Sequence, residues 1–128
     1  MSGYHTNIEK AVKENLFFRK VLFTGNKSQL VLMTLKPNEE IGMEVHNEND
    51  QFFRFEEGHG KVIIGTEEFI VGPDDVVIIP SGENHNIINT SESEYLKLYT
   101  IYSPAHHPDG TIHETKEIAE EAEKAEHE

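Results

Sequence analysis

Four polar side chains in this sequence are of the types that hold a single cation. Glu44 and His46 lie one residue apart in IGMEVH, Gln51 follows a short NEND turn, and His85 comes far along the chain in PSGENHNIIN. Two imidazoles, a carboxylate and an amide oxygen together suit a divalent ion such as zinc, manganese or iron. The chain contains no Cys, so thiolate ligands, cysteine nucleophiles and disulfides are excluded.

Whether the four can meet depends on strand geometry. Side chains alternate faces along a strand, so Glu44 and His46 share one face while Met43 and Val45 take the other. In the next segment Gln51, Phe53 and Phe55 share a face, with Phe52 and Arg54 opposite. A hairpin between the two strands would set Gln51 across from His46, bedded on Phe53 and Phe55. His85 opens a strand whose same-face partners are Ile87 and Asn89. Asp50 is expected in the turn, facing away, although a register slip of one residue would exchange it for Gln51.

The elements that must do this positioning are mostly strands. Segments such as QLVLMTL, QFFRF, GKVIIG, DVVIIP and YLKLYTIY are rich in β-branched and aromatic residues and are separated by turn formers such as KPNEE, GPDD and NTSESE. Short strands with no helical period between them predict an antiparallel sandwich or barrel over residues 19–102. Before it, IEKAVKEN reads as a short helix. After it, Pro104 and Pro108 end the last strand, and Thr111 with Glu114 fits a capping box for a surface helix. That helix carries a thin stripe of Ile118, Ala122 and Ala125 and a Glu120–Lys124 pair. A chain of 128 residues with no evident linker is expected to form one domain, 1–128, in which 103–128 is a loop and acidic helical tail.

The spacing carries a resemblance. The two polar stretches resemble the two motifs of the cupin superfamily, the first of which runs Gly, five residues, His-x-His, three or four residues, Glu, six residues, Gly. The second runs Gly, five residues, Pro-x-Gly, two residues, His, three residues, Asn. Here the first aligns as Asn38, Glu44, His46, Gln51 and Gly58, and the second as Asp74, Pro80, Gly82, His85 and Asn89. Glu44 stands where a His is usual and Gln51 where a Glu is usual. Asn38 and Asp74 replace turn glycines, and both residue types tolerate the left-handed conformation.

The resemblance, over about residues 30–102, implies an all-β double-stranded β-helix (a jelly roll) with Glu44, His46, Gln51 and His85 as metal ligands at its open end. A decayed site, with Glu44 and Gln51 merely hydrogen-bonded inside the barrel, is one reading of the changed ligands. A working variant is the other, because the exchange preserves one acid in the set. The total of one Glu, one Gln and two His also resembles the ligand set of type I phosphomannose isomerases, in a different order along the chain. It implies a metal-dependent isomerase of a sugar or sugar phosphate. The alternatives are a metal-dependent oxygenase and a non-catalytic binding or sensing module. No residue identifies itself as a catalytic base, and Arg19, Lys36 and Lys97 are the candidates for a phosphate pocket.

The net charge of −13, of which −5 falls between Glu114 and Glu128, argues against nucleic acid and anionic membranes as partners. No apolar run is long enough to span a bilayer, and the first residues lack a signal-type apolar core. A cytoplasmic homodimer acting on a small molecule is expected. His59 is expected to be an exposed turn residue, His106 and His107 to be adventitiously exposed, and His5, His113 and His127 to have no role. Tyr95, Tyr99 and Tyr102 are expected to be half-buried aromatic packing, the alternative being that one of their hydroxyls faces the pocket.

Overall fold

Strand propensity and turn chemistry agree along most of the chain, and a computed structural model describes residues 2–126. A short helix α1 (Ile8–Glu14) is followed by β1 (Arg19–Thr24), β2 (Gln29–Leu35), β3 (Asp50–Glu57), β4 (Gly60–Ile64) and β5 (Glu67–Val71). Then come β6 (Val76–Ile79), β7 (His85–Asn89), β8 (Leu96–Ser103), β9 (Ile112–His113) and a second helix, α2 (Lys116–Glu126). The strands form a six-stranded sheet, ordered β6-β3-β8-β2-β1-β9, and a three-stranded sheet, β5-β4-β7, with every pair antiparallel. This is the double-stranded β-helix. Among the described residues, no helix is long and apolar enough to cross a membrane.

The core lies between the sheets and is built from alternate positions, as strand periodicity requires. Phe53 and Phe55 of β3, Val62 of β4, Ile87 of β7, and Leu96 and Leu98 of β8 are each at most 1% exposed. Each such side chain contributes about 1.5–3 kcal/mol by leaving water. Two turns depend on residues other than glycine in the left-handed region, Asn38 (φ 63°) and Asp74 (φ 73°), as their side-chain types allow. Asp74 is further fixed by its carboxylate, which accepts from Arg54 at 2.9 Å.

Two local expectations are corrected. Residues 111–114 do not begin the second helix. Their carbonyls accept from the outer edge of β1, Thr111 from the Val21 N–H and Glu114 from the Phe18 N–H, and β9 pairs there instead. Helix α2 starts four residues later, where the Thr115 hydroxyl accepts from the Ile118 N–H at 3.2 Å. Its buried anchor is Ala119, 2% exposed, whereas Ile118 is 45% exposed, and it carries an ion pair between Lys116 and Glu120 at 3.7 Å.

The second correction concerns the hairpin expected to bring Gln51 opposite His46. β3 lies between β6 and β8, so Gln51 faces Ile79 on one side and Tyr102 on the other. The Glu44 segment joins the other sheet. It runs beside β7 as an irregular edge, with isolated bridges Glu40–Ile88 and Glu44–His85. At Gly42 (φ 105°) the backbone departs from strand geometry, and its N–H is taken by the side chain of Asn86 at 2.9 Å.

Candidate metal centre

Glu44 and His85 exchange both backbone hydrogen bonds, each at 2.9 Å. Directly opposed residues of an antiparallel pair put their side chains on one face, and His46 shares that face by the two-residue alternation. Three potential ligands therefore converge through one pairing contact. His46 Nε2 lies 2.8 Å from Glu44 Oε2, and the rings of His46 and His85 are 5.3 Å apart. One ligand atom from each of Glu44, His46 and His85 lies within 4.8 Å of the others. Bonds of about 2.0–2.2 Å to one ion put neighbouring ligand atoms about 3–4 Å apart, so small side-chain rotations suffice.

Gln51 approaches from the opposite sheet. It is 3% exposed, and its amide Nε2 donates to the Thr100 hydroxyl at 3.0 Å. That bond fixes the amide orientation and leaves Oε1 buried with no hydrogen-bond partner among the described residues. An orphaned buried carbonyl oxygen costs about 1–3 kcal/mol, and a cation relieves that cost. Taken together with two imidazoles and one carboxylate, its donor chemistry fits a divalent ion. Asp50 is exposed, its carboxylate accepting from the Ser81 N–H at 2.9 Å, so the register keeps Gln51 on the inner face.

The protonation states also suit a cation. His85 Nδ1 lies 3.0 Å from the Glu83 carbonyl, which can only accept, so Nδ1 carries the proton and Nε2 keeps its lone pair. Burial lowers the His85 pKa, and the charge of His46 adds to that shift against the Glu83 bond. Burial by itself would raise the Glu44 pKa. The hydrogen bond from His46 and the positive fields of His46, Arg19 and His85 outweigh it, and the carboxyl is held below its ordinary value.

A wall of rings completes the mouth. Gln29, 1% exposed, accepts from the N–H groups of His106 (3.1 Å) and His107 (3.0 Å) and donates to the His107 carbonyl at 2.8 Å. Asn49 donates to the carbonyls of Pro104 and Ala105. These bonds dock the loop after β8 so that the His106 ring lies 4.3 Å from His46 and stacks on Tyr102 at 5.2 Å. Tyr102, 2% exposed, meets His46 edge-on at 5.7 Å, and its hydroxyl, pushed up by burial, lies 3.3 Å from His107 Nε2. The pocket tyrosine is therefore Tyr102. Burial, and then the field of Arg19, push the His107 imidazole down to about 2.

His106 is exposed, as expected, but it lies against a candidate ligand. His107 is half-buried, which departs from the expectation of adventitious exposure. No local pattern announces either. The only sequence signal is a polar Gln29 on the inward face of β2, which is otherwise apolar. Arg19, whose direction the sequence left open, points inward and meets His113, which was assigned no role. Lys36 is exposed, and Lys97 donates to the Lys13 carbonyl at the end of α1. His5 and His59 are exposed, and His127 lies outside the described residues.

A pH dependence follows. His85 and His107 bind protons less readily folded than unfolded. As pH falls below about 6.5 the unfolded chain takes up protons that the folded one refuses, and each such histidine removes up to about 1.4 kcal/mol of stability per pH unit. The depressed Glu44 carboxyl acts in the same direction at lower pH. The melting temperature of the metal-free protein is expected to fall steadily from pH 7 to pH 5. A flat profile would mean that these imidazoles are not held neutral.

Residues 31–102 match the family model described as Cupin domain. The chain is 45% identical over 123 residues to the uncharacterized protein YrkC of Bacillus subtilis (strain 168), covering 91% of this chain and 66% of that protein. It is 43% identical over 112 residues to the uncharacterized protein L612 of Acanthamoeba polyphaga mimivirus, covering 85% and 70%. The chain thus spans about two thirds of the length of the curated relatives it matches. The crystal structure of BH2720 from Bacillus halodurans superposes with a TM-score of 0.91 at 43% identity, covering 94% of this chain and 95% of that one.

Proposed function

This chain belongs to the cupin domain family, and from that premise we propose that Glu44, His46, His85 and the amide oxygen of Gln51 hold a divalent cation used in the isomerisation of a sugar or sugar phosphate. The observation that carries the reading is the meeting of three ligand atoms within 4.8 Å, and the buried amide oxygen of Gln51, which has no hydrogen-bond partner among the described residues, supports it. When bound, the ion supplies a Lewis acid for a carbonyl or hydroxyl oxygen. Glu44 offsets part of its charge, and the Glu83 carbonyl holds His85 in the tautomer that presents Nε2. Tyr102 and His106, packed on His46, restrict water on that side of the mouth.

Elemental analysis of the purified protein is the first test, and zinc or manganese near one equivalent is expected. Gln51→Leu should weaken the ion about tenfold, within the 10–100-fold range seen when a supporting group is lost. It should change the metal-free melting temperature little, because a buried unpaired acceptor disappears together with the hydrogen bond to Thr100. Absence of turnover of mannose 6-phosphate by the metal-loaded protein would remove the isomerase reading and leave the metal reading standing. A second reading has its own observation: Glu44, His46 and His85 form a two-His, one-carboxylate set while Gln51 is tied to Thr100. Such a set with open positions suits iron and dioxygen chemistry. Iron content with substrate-dependent oxygen uptake would favour it.

A further inference from the structure

Arg19 is the largest polar side chain in the interior. It is 2% exposed and shares the inward face of β1 with Val21. Its guanidinium is only partly neutralised. Nη1 donates to Glu123 of α2 at 3.1 Å and lies 3.2 Å from His113 Nδ1, and the guanidinium carbon sits 5.3 Å from the centre of the Phe18 ring. Nε is buried with no hydrogen-bond partner among the described residues. Glu123, the carboxylate it meets, is 40% exposed, so solvent weakens that pairing.

A buried cation with an unpaired donor is costly to fold around, and a purely structural staple between β1 and α2 does not need it. The side-on edge of a guanidinium, Nε with Nη2, is the fork that grips two oxygens of a carboxylate or phosphate. The surroundings connect this edge to the candidate metal ligands. The field of Arg19 is felt at Glu44, Tyr102 and His107. Tyr102 also touches both His46 and His107, so a row of rings leads inward from a candidate ligand to the imidazole that feels this cation.

We propose that Arg19 is the anion-recognition residue of this site, binding a carboxylate or phosphate group of a small substrate through its unpaired Nε edge while Glu123 and His113 hold Nη1. The proposal rests on the metal-site reading for the substrate's other contact. It narrows the substrate class to an anionic molecule such as a sugar acid or a sugar phosphate. A neutral sugar would leave the Nε edge without an anion.

The test is calorimetric titration of the full chain, metal-free and cobalt-loaded, with acetate, inorganic phosphate, glucuronate, mannose 6-phosphate and neutral mannose. At least one anion is expected to bind saturably and mannose not to bind. Arg19→Gln and Arg19→Lys should each weaken the anion tenfold or more, the lysine variant because it keeps charge but loses the fork, and Lys27→Gln, which removes an exposed cation in the turn between β1 and β2, should retain binding. If Arg19→Gln does not fold, Arg19→Lys and Lys27→Gln decide. Glucuronate against mannose 6-phosphate distinguishes the two oxyanions. No anion binding, mannose binding as tightly as the anions, or undiminished affinity in the Arg19 variants would overturn the proposal. The cobalt absorption spectrum reports the metal site independently, so a protein that takes up no cobalt but binds anions through Arg19 would refute the metal reading alone.

Discussion

His85→Ala is expected to lower divalent-ion affinity by more than about 100-fold, beyond the 10–100-fold that losing a supporting group costs. His85 is the point at which the two motif segments are joined, because it exchanges both backbone bonds with Glu44 and presents Nε2 beside the Glu44–His46 pair. Its removal leaves a carboxylate, one imidazole and a neutral amide oxygen, and water takes the open position on the ion. The substitution also has a structural cost. His85 is 3% exposed, and without it the Glu83 carbonyl loses a donor and a ring-sized space opens beside Phe53. About 1–3 kcal/mol of stability should be lost with the fold retained. Titration with zinc against a chromophoric chelator, with circular dichroism of the same sample, separates the two effects. His59→Ala, at an exposed turn, should bind zinc as the parent does. Affinity within threefold of the parent for His85→Ala would refute the ligand set.

Gly58→Ala is expected to be the more damaging change to the fold. Gly58 adopts φ 87° in the tight connection between β3 and β4, and a Cβ there would overlap the Tyr95 carbonyl oxygen and lie 3.1 Å from Leu96 Cα. Neither neighbour can yield, since β8 continues into Leu96 and Leu98, both at 0% exposure. Backbone strain of about 1–3 kcal/mol and overpacking of similar size add, so a loss of about 3 kcal/mol or more is expected. For a domain of this size that is about 10 °C in melting temperature, or failure to accumulate as soluble protein. Gly42→Ala separates the causes. Gly42 is also left-handed (φ 105°), but a Cβ there meets nothing within 4 Å, so only the conformational cost of about 1 kcal/mol applies. Equal losses at the two glycines would show that packing against Tyr95 is not the source.

The legible part of the fold was the part governed by short-range periodicity. Alternation assigned Phe53 and Phe55 to the core and placed Glu44 with His46. It also kept Gln51 inward and Asp50 outward. The left-handed turns at Asn38 and Asp74 were legible for the same kind of reason, since few side chains accept that conformation without help. The start of the second helix was not. The capping signal at Thr111 was real in residue type, but the open edge of β1 competed for the same backbone groups and won.

Sequence by itself determined which side chains have metal-binding chemistry, which face of its strand each occupies, and where the chain must turn. Tertiary structure alone decided that Glu44 lies across from His85 rather than in a hairpin with Gln51, and that Gln29 draws His106 and His107 onto the mouth. It also decided that Arg19 turns inward to meet His113 and Glu123. The division has one physical cause. Side-chain alternation and turn preference are fixed by a few neighbouring dihedrals, whereas the pairing of segments some 40 to 100 residues apart is settled only when two sheets close over a common core and every buried backbone and polar group must find a partner at once.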